Sequence, residues 1–337
     1  MKLKTLKTLH GNLKMPAFFP DATYGHVIGL ESKDLVKCKI EGVVVNAYHL
    51  FKSGLLERIK DKGIHKFMNF LGIVVSDSGG FQVMSLIHKN PKLGKISGDK
   101  IIFNFNGKKI VLTPEKCIQI QLEIGSDIIM CLDDCTYPNA SIIEQKKSVA
   151  RTIRWARKCK KEFDKLTSGM KNKPMIFAIV QGGESKKLRK YCAEKLVEMD
   201  FDGYAFGGFP VKNGKFLKEI LEYTSSLIPD DRPKFALGIG KPKDIIDGVK
   251  LGYNIFDCVI PTRDARHKRL FIFEGKKIKS INIRKKYLKK KIKLFGCGFD
   301  ELYNLFKLKD NGAGRLATMH NLKFYSSLME KLRYHKV

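Results

Sequence analysis

VVSDSGGFQVMSL, residues 74–86, contains an aliphatic run that ends abruptly in Asp77 and is followed by a glycine pair. Seven further apolar runs end in a polar or glycine-rich turn, and they begin at Pro16, Glu41, Ser126, Pro174, Asp202, Pro233 and Tyr253. Because these runs do not alternate between apolar and polar residues, they are typical of parallel strands buried on both faces. The sequence therefore predicts eight such strands.

Amphipathic stretches that are typical of helices separate most of these runs, at 141–166, 185–199, 214–227 and 243–250. Strands that alternate with helices in this way predict a (βα)8 TIM barrel, whose active site forms at the C-terminal ends of the strands. Asp77 is expected at that end. The alternative is a doubly wound open sheet, which would have fewer strands and usually a GxGxxG motif that we do not find here.

Two segments interrupt the alternation of strands and helices. Residues 101–112 alternate with period two around Asn106-Gly107, which predicts a hairpin with a type I′ turn. A second hairpin is predicted from Arg269, where a basic tail begins. We therefore predict a catalytic barrel at 1–267 and a small basic C-terminal subdomain at 268–337.

The chain is strongly basic, with 64 Lys and Arg against 34 Asp and Glu and a formal net charge of +30. Such a field attracts polyanions, of which nucleic acid is the commonest, although a general lysine coating is an alternative explanation. The lysines concentrate at 276–293, which favours nucleic acid. The scattered cysteines form no CxxC pair, and no apolar run approaches a membrane span. We expect a soluble, cytoplasmic protein without a membrane partner.

Four carboxylates lie at predicted strand ends, namely Asp77, Asp133, Asp134 and Asp257. Glycine pairs in the neighbouring turns would leave the mouth of the barrel open to a flat ligand. A single aspartate here is more simply the N-cap of the next helix. Several carboxylates around one mouth suit glycosidic-bond chemistry, in which one attacks C1′ and another moves protons.

Several motifs follow one another along the chain from about His10 to Arg266. They are NAYHL, SDSGGFQVMSL, LTPEKCIQIQLEIGSDIIMCLDDC, RTIRWARK, IVQGG, FGGFPV, LGIGKP and FDCVIPTRDAR, with a weaker match at MHNLKFYSSLMEKLR. Together they resemble the queuine/preQ1 tRNA-guanine transglycosylase family. The resemblance implies a (βα)8 barrel that replaces guanine in tRNA, at the anticodon wobble position, with a 7-deazaguanine such as preQ1.

The resemblance also implies roles for individual residues. Asp257 matches the nucleophile that attacks the ribose, and Asp77 matches the general acid/base beside it. The residues that match the base-binding positions are Phe81, Asp133, Gln181, Gly207, Gly208, Leu237 and Gly238. Among them, Asp133 would accept from N1 and the exocyclic amine of guanine, Gln181 and Gly208 would face O6, and Phe81 and Leu237 would stack on the base. Arg263 and Arg266 match arginines that grip the anticodon loop.

The chain departs from the family at its zinc site, which consists of three cysteines and a histidine. Only Cys297 and His320 match, and Leu294 and Ile292 stand where thiolates would be. We therefore expect no structural zinc, apolar packing in its place, and no cofactor for the chemistry.

A second departure concerns the incoming base. Bacterial members carry a glutamate that binds the aminomethyl group of preQ1, and Asn213 takes its place here. An amide cannot pair with an ammonium as a carboxylate does, so the sequence leaves the 7-deazaguanine open.

Two alternative functions remain at this point. A DNA-directed relative would use the same chemistry, because nothing in the sequence reports on the 2′-hydroxyl that distinguishes RNA from DNA. A non-catalytic binding protein is the other alternative, against which stand Asp77, Asp133 and Asp257. The oligomeric state is also open, with a homodimer among the alternatives.

Overall fold

The structure is a computed structural model that describes residues 3–105, 108–284 and 292–334. The strands are β1 (Thr5–Thr8), β2 (Gly11–Lys14), β3 (Ala17–Pro20), β4 (Gly42–Asn46), β5 (Ile73–Asp77), β6 (Gly94–Ser97), β7 (Lys100–Phe105), β8 (Lys108–Leu112), β9 (Ile128–Met130), β10 (Met175–Val180), β11 (Gly203–Phe206), β12 (Val211–Lys212), β13 (Lys215–Phe216), β14 (Lys234–Ala236), β15 (Ile255–Cys258), β16 (Arg269–Glu274) and β17 (Lys277–Asn282).

The helices are α1 (Ser32–Lys37), α2 (Ala47–Lys52), α3 (Leu55–Ile59), α4 (Gly63–Met68), α5 (Gly80–Lys89), α6 (Pro114–Ile124), α7 (Ile142–Thr167), α8 (Lys186–Val197), α9 (Lys218–Ser226), α10 (Pro242–Lys250), α11 (Ile260–Arg266), α12 (Phe299–Lys307) and α13 (Gly312–Arg333), with a 3-10 turn at Pro91–Leu93. In the described part of the chain, no helix is both long enough and apolar enough to cross a membrane.

The eight predicted strands form one parallel sheet in the order β3-β15-β14-β11-β10-β9-β5-β4. Its two outer strands approach each other where Asp21 bridges Val44, and the amide of Ala22 donates to the Val44 carbonyl oxygen over 2.7 Å. The ring is therefore nearly closed, and the prediction of a (βα)8 barrel is confirmed. Consecutive barrel strands along the chain are separated by helices, as that prediction requires.

Both faces of the barrel strands are apolar, which explains why the runs do not alternate. On β5, Val75 points into the barrel interior while Val74 packs beneath the surrounding helices. On β10, Phe177 and Ile179 point inward and Ile176 points outward. Burial of each such side chain contributes roughly 1.5–3 kcal/mol, so a polar residue on either face would be costly.

Helix boundaries follow local capping signals. The hydroxyl of Ser141 accepts from the amide of Glu144 over 3.2 Å, and the Glu144 carboxylate accepts from the Ser141 amide over 2.8 Å, which fixes the start of α7. The predicted helix 214–227 begins later, at Lys218. Asn213 and Gly214 both have positive φ and form the two-residue turn between β12 and β13.

The insertion near 101–112 has one more strand than predicted. β7 and β8 pair in antiparallel fashion up to Phe105 and Lys108, and Asn106-Gly107 lies outside the described residues. β6 adds a third strand and connects to β7 through Gly98-Asp99, where Gly98 has a φ of +57°. The Gly-Asp pair is itself a hairpin signal.

The C-terminal region begins with the second hairpin, β16 and β17, and ends with α13, which returns to the barrel. Arg315 on α13 donates two hydrogen bonds, of 2.8 and 2.7 Å, to Asp34 on α1. Arg333 donates to the carbonyl oxygens of Lys14 and Pro16 at the start of β3. The last helix is therefore tied to the first barrel strand. Of the basic stretch 276–293, residues 285–291 lie outside the described residues.

Candidate active site

A cavity of about 380 Å³ opens at the C-terminal ends of the barrel strands. This volume suits a small planar ligand. Among its lining residues are eight that the sequence singled out, namely Asp77, Phe81, Asp133, Gly207, Gly208, Leu237, Gly238 and Asp257. Asp21, Thr23, Asn46, Gln82 and Phe209 line it as well and were not predicted.

Asp257 lies near the end of β15, where it is almost without polar neighbours. Its Oδ1 accepts from the amide of Gly238 over 2.9 Å. Burial raises its pKa to about 7, against the lowering effect of that hydrogen bond, and the charges of Asp77 and Asp21 raise it further. A carboxylate with so few donors is more basic than usual and available to attack an electrophile.

Asp77 ends β5 and accepts more hydrogen bonds from the protein than Asp257 does. Burial raises its pKa, and hydrogen bonds from Gln82, from the turn amides and from Asn46 oppose the shift. Nδ2 of Asn46 donates to Oδ2 of Asp77 over 2.8 Å. Asn46 ends the neighbouring strand β4, so it fixes the orientation of the carboxyl group that faces the cavity.

The glycine pair after Asp77 is required by close packing. Gly79 has a φ of +82°, and a Cβ there would lie 2.2 Å from Cβ of Tyr48. A Cβ on Gly80 would lie 3.0 Å from the carbonyl oxygen of Asp133. Only glycine lets α5 begin this close to the two neighbouring strand ends. The turn after Asp77 therefore brings Asp77 and Asp133 to the same cavity.

Asp133 lines the cavity and is held by Gln181, which is buried and is not itself among the lining residues. Nε2 of Gln181 donates to Oδ2 of Asp133 over 2.6 Å. The pKa of Asp133 is raised to about 7, chiefly by burial, although the Gln181 hydrogen bond acts in the opposite direction. A primary amide has two N–H donors, and besides Asp133 the Gln181 side chain hydrogen-bonds Cys135, which lines the cavity.

The turn at Gly207-Gly208 is held from behind by Arg189, a fully buried residue of α8 that the sequence did not indicate. Its guanidinium donates to the carbonyl oxygens of Val180, Gly183 and Gly207 over 2.6, 2.9 and 2.9 Å. Burial lowers the pKa of Arg189 to about 10. These bonds fix the strand ends of β10 and β11 relative to each other.

The strand order places the functional groups opposite one another across the mouth. In a ring of eight, β15 and β9 are four positions apart, and so are β14 and β5. Asp257 therefore faces Asp133 across the cavity, and Leu237 faces Phe81. Phe81 is 40% exposed and meets Phe209 edge-on, with ring centroids 5.6 Å apart. The rim is apolar where a planar base would enter.

The family profile described as queuine tRNA-ribosyltransferase matches residues 1–335. A queuine tRNA-ribosyltransferase of Actinobacillus succinogenes is 40% identical over 331 residues, which cover 95% of this chain and 85% of that protein. One from Caldanaerobacter subterraneus is 40% identical over 342 residues, covering 98% and 89%. The chain belongs to the queuine tRNA-ribosyltransferase family. It is an enzyme, a pentosyltransferase of the tRNA-guanine transglycosylase type.

The remaining predicted residues of this transferase lie outside the cavity lining. Asp134 pairs with Arg151 on α7, so it is a structural residue. Arg263 is exposed and lines a neighbouring cavity of about 560 Å³ with Lys241 and Arg269. Burial raises the pKa of Asp21, and Arg266 is close enough for its charge to oppose that shift. Nη1 of Arg266 is buried without a hydrogen-bond partner in the described residues.

The residues at the family's zinc position do not fit a zinc ion. Nδ1 of His320 accepts from the amide of Phe295 over 3.1 Å, and Nε2 bonds the carbonyl oxygen of Phe271 over 2.9 Å, so both ring nitrogens are engaged. Ile292, Leu294 and Cys297 pack in an apolar cluster. A tetrahedral site needs four free ligand atoms, which this set does not offer.

Proposed function

We propose that the protein exchanges a guanine of tRNA for a 7-deazaguanine through a covalent intermediate between Asp257 and the ribose. One observation carries the proposal. A sparsely hydrogen-bonded carboxylate, Asp257, faces the Asp133–Gln181 pair across a cavity of about 380 Å³. In a family of tRNA-ribosyltransferases, these two groups suit the two halves of one nucleotide, its sugar and its base.

The base half of the cavity has the hydrogen-bonding character that guanine needs. Guanine presents two donors, at N1 and the exocyclic amine, and the acceptor O6. The Asp133 carboxylate, oriented by Gln181, accepts from both donors, and the amide of Gly208 donates to O6. Phe81 and Leu237, on opposite sides of the mouth, cover the two faces of the ring.

The exchange takes place in two displacements at C1′. The Asp257 carboxylate attacks C1′, the bond from C1′ to the base nitrogen breaks, and the departing guanine takes a proton from Asp77. The incoming 7-deazaguanine then returns a proton to Asp77 as its ring nitrogen attacks C1′ and releases Asp257. Two displacements retain the configuration at C1′, and the phosphodiester backbone stays intact.

The target nucleotide must leave its stack before it can reach carboxylates inside a barrel mouth. Arg263 and Arg266 follow Asp257 on α11, so they lie where they can hold the anticodon loop open. The positive hairpin of β16 and β17 supplies phosphate contacts that give affinity without sequence information. Asn213 is exposed and does not line the cavity, so it does not indicate which group the incoming base carries at position 7.

The test compares Asp257→Asn with a control variant, Asp99→Asn, which removes a carboxylate remote from the cavity. Labelled guanine release from an anticodon stem-loop is measured in a single turnover, and the covalent adduct is resolved on a denaturing gel. We expect the control to form adduct and exchange normally, while Asp257→Asn does neither and still binds RNA. Undiminished adduct from Asp257→Asn would remove this residue from the nucleophile's role.

A further inference from the structure

The cavity contains a fourth carboxylate, Asp21, that neither base recognition nor the displacement steps use. It follows β3 directly and lines the cavity together with Thr23. The Thr23 hydroxyl donates to Oδ1 of Asp21 over 2.5 Å, which orients the carboxylate. Burial raises the pKa of Asp21, whereas the Thr23 hydrogen bonds and the charges of His49 and Arg266 lower it.

The position of Asp21 follows from the strand order. Apart from Phe81, which follows β5, the base-binding residues come from one half of the ring, formed by β14, β11, β10 and β9. The other half consists of β15, β3, β4 and β5, which carry Asp257, Asp21, Asn46 and Asp77. Asp21 therefore lies between the nucleophile and the acid/base, on the side of the cavity where the ribose must be.

A carboxylate on this side can bind the substrate only through a hydrogen-bond donor of the substrate. The phosphates offer acceptors only, and their charge repels a carboxylate. Within an RNA chain the 3′ and 5′ oxygens of a ribose are esterified. The 2′-hydroxyl is then the one donor on the sugar, and it stands on the carbon next to C1′, which Asp257 must reach.

We propose that Asp21 accepts a hydrogen bond from the 2′-hydroxyl of the target nucleotide and makes this enzyme selective for RNA over DNA. The assignment rests on the proposed base exchange and adds to it the feature that distinguishes the two nucleic acids. Thr23 is the positioning residue. Its hydroxyl donates to Oδ1 of Asp21, and because the carboxylate is planar this bond also fixes the position of Oδ2.

The experiment crosses enzyme variants with two substrates. One is an RNA anticodon stem-loop, and the other is identical except for 2′-deoxyguanosine at the exchanged position. Single-turnover exchange is measured for the unsubstituted enzyme, Asp21→Ala, the isosteric Asp21→Asn and the control Asp99→Ala. Affinity for free guanine is measured as well, because it reports on the base half of the cavity alone.

We expect the unsubstituted enzyme and Asp99→Ala to act roughly tenfold to a hundredfold faster on the RNA than on the deoxy substrate, the range for a hydrogen bond to a charged group. Asp21→Ala should remove this preference, so that the two substrates are exchanged at similar rates, and should leave guanine affinity unchanged. The readout is the ratio of the two rates within each variant, because the charge of Asp21 also raises the pKa of Asp257 and its loss acts on both substrates alike. Asp21→Asn, which keeps an acceptor oxygen, should be intermediate.

Two outcomes would overturn the assignment in different ways. If Asp21→Ala slows both substrates equally, or if the unsubstituted enzyme does not discriminate between them, Asp21 does not read the 2′-hydroxyl although base exchange stands. If the unsubstituted enzyme exchanges neither substrate, the proposed function fails, and this assignment fails with it.

Discussion

The two ends of the barrel use the same residue type in opposite ways. At the C-terminal end, burial raises the pKa of Asp133 and Asp257 to about 7, because few donors compensate for lost water. At the N-terminal end, burial also acts to raise the pKa of Asp127, but hydrogen bonds from His65, Val74 and His10 outweigh it and the pKa is lowered. A buried carboxylate with few hydrogen-bond donors is therefore basic and reactive, whereas one with several donors stays ionised and stabilises the fold.

The N-terminal cluster ties three elements together. Oδ1 of Asp127 accepts from the amide of His10 and lies 2.9 Å from its Nδ1, and Oδ2 accepts from the amide of Val74 over 2.9 Å. Nε2 of His65 lies 3.2 Å from Oδ2. The β1–β2 hairpin, α4 and β5 thus meet at one carboxylate, which closes the bottom of the barrel.

The largest expected effect is at the reactive end. Asp257→Asn should lower exchange by at least about a thousandfold, because an amide cannot attack C1′ and leave. Its urea midpoint should stay the same or rise, since the substitution removes a buried charge with a single hydrogen bond. A variant that unfolds much more easily than the unsubstituted protein would contradict the comparison.

Asp127→Asn should have the opposite effect, with lower stability and unchanged exchange. The variant loses charge-assisted hydrogen bonds at a fully buried site, each worth roughly 1.5–3 kcal/mol, so we expect a loss of about 2–4 kcal/mol in the free energy of unfolding. Exchange per folded molecule should stay unchanged, because the residue lies at the other end of β9 from Asp133. The measurements are urea denaturation and exchange rates normalised to folded protein. A loss of exchange activity in the fully folded Asp127→Asn variant would show that the two ends of the barrel are coupled.

The contributions of Asp257 and Asp127 to the free energy of unfolding should change with pH in opposite directions. Asp257 has a folded pKa of about 7, above its unfolded value near 4, so the native state binds the extra proton between these values and stability falls as pH rises through them. Asp127 has a lowered pKa, so its contribution is present above the unfolded value and is lost only in acid.

The stability difference between Asp257→Asn and the unsubstituted protein isolates the first of these effects. It should be near zero at about pH 4 and grow in favour of the variant up to about pH 7, by an amount on the order of a few kcal/mol. Exchange by the unsubstituted enzyme should rise over the upper part of this range as Asp257 ionises. A pH-independent stability difference would mean that Asp257 keeps an ordinary pKa in the folded protein.

The sequence could predict the barrel because burial on both strand faces leaves an unbroken apolar run. It could locate the carboxylates because strand ends show as abrupt polar residues. Asp127 precedes β9 and Asp133 follows it, however. Only Asp133 can lie at the mouth, because the mouth is formed by the C-terminal ends of the strands. Arg189 could not be predicted, since in SKKLRKYC it reads as one surface cation among several. Its role depends on three carbonyl oxygens, those of Val180, Gly183 and Gly207, at the ends of β10 and β11.

Asp21 and Asn46 show a different limit. Both end predicted strands, as Asp77 does, but neither is among the four aspartates predicted as candidates. Thr23 lies two residues beyond Asp21 and bonds it locally, whereas Asn46 bonds Asp77 between the neighbouring strands β4 and β5, a contact that only the folded sheet shows. The Asn213-Gly214 pair is the same kind of turn signal as Asn106-Gly107, and it separates β12 from β13 where the sequence predicts the start of a helix at residue 214.

The smallest expected effect concerns metal. We propose that the folded protein contains much less than one zinc per chain, because His320 has both nitrogens engaged and Cys297 lacks partner thiolates. The N-terminal end offers His10, His65 and Asp127 within 4.8 Å, but the two rings stack with centroids 3.5 Å apart, so their lone pairs run side by side rather than converge on one ion. Elemental analysis of protein purified without chelators should find little zinc, and EDTA should not change the urea midpoint. If one zinc per chain is found, His320→Ala and His65→Ala decide where it lies, and loss of the metal from either variant would identify the end of the molecule at which the ligand geometry was misjudged.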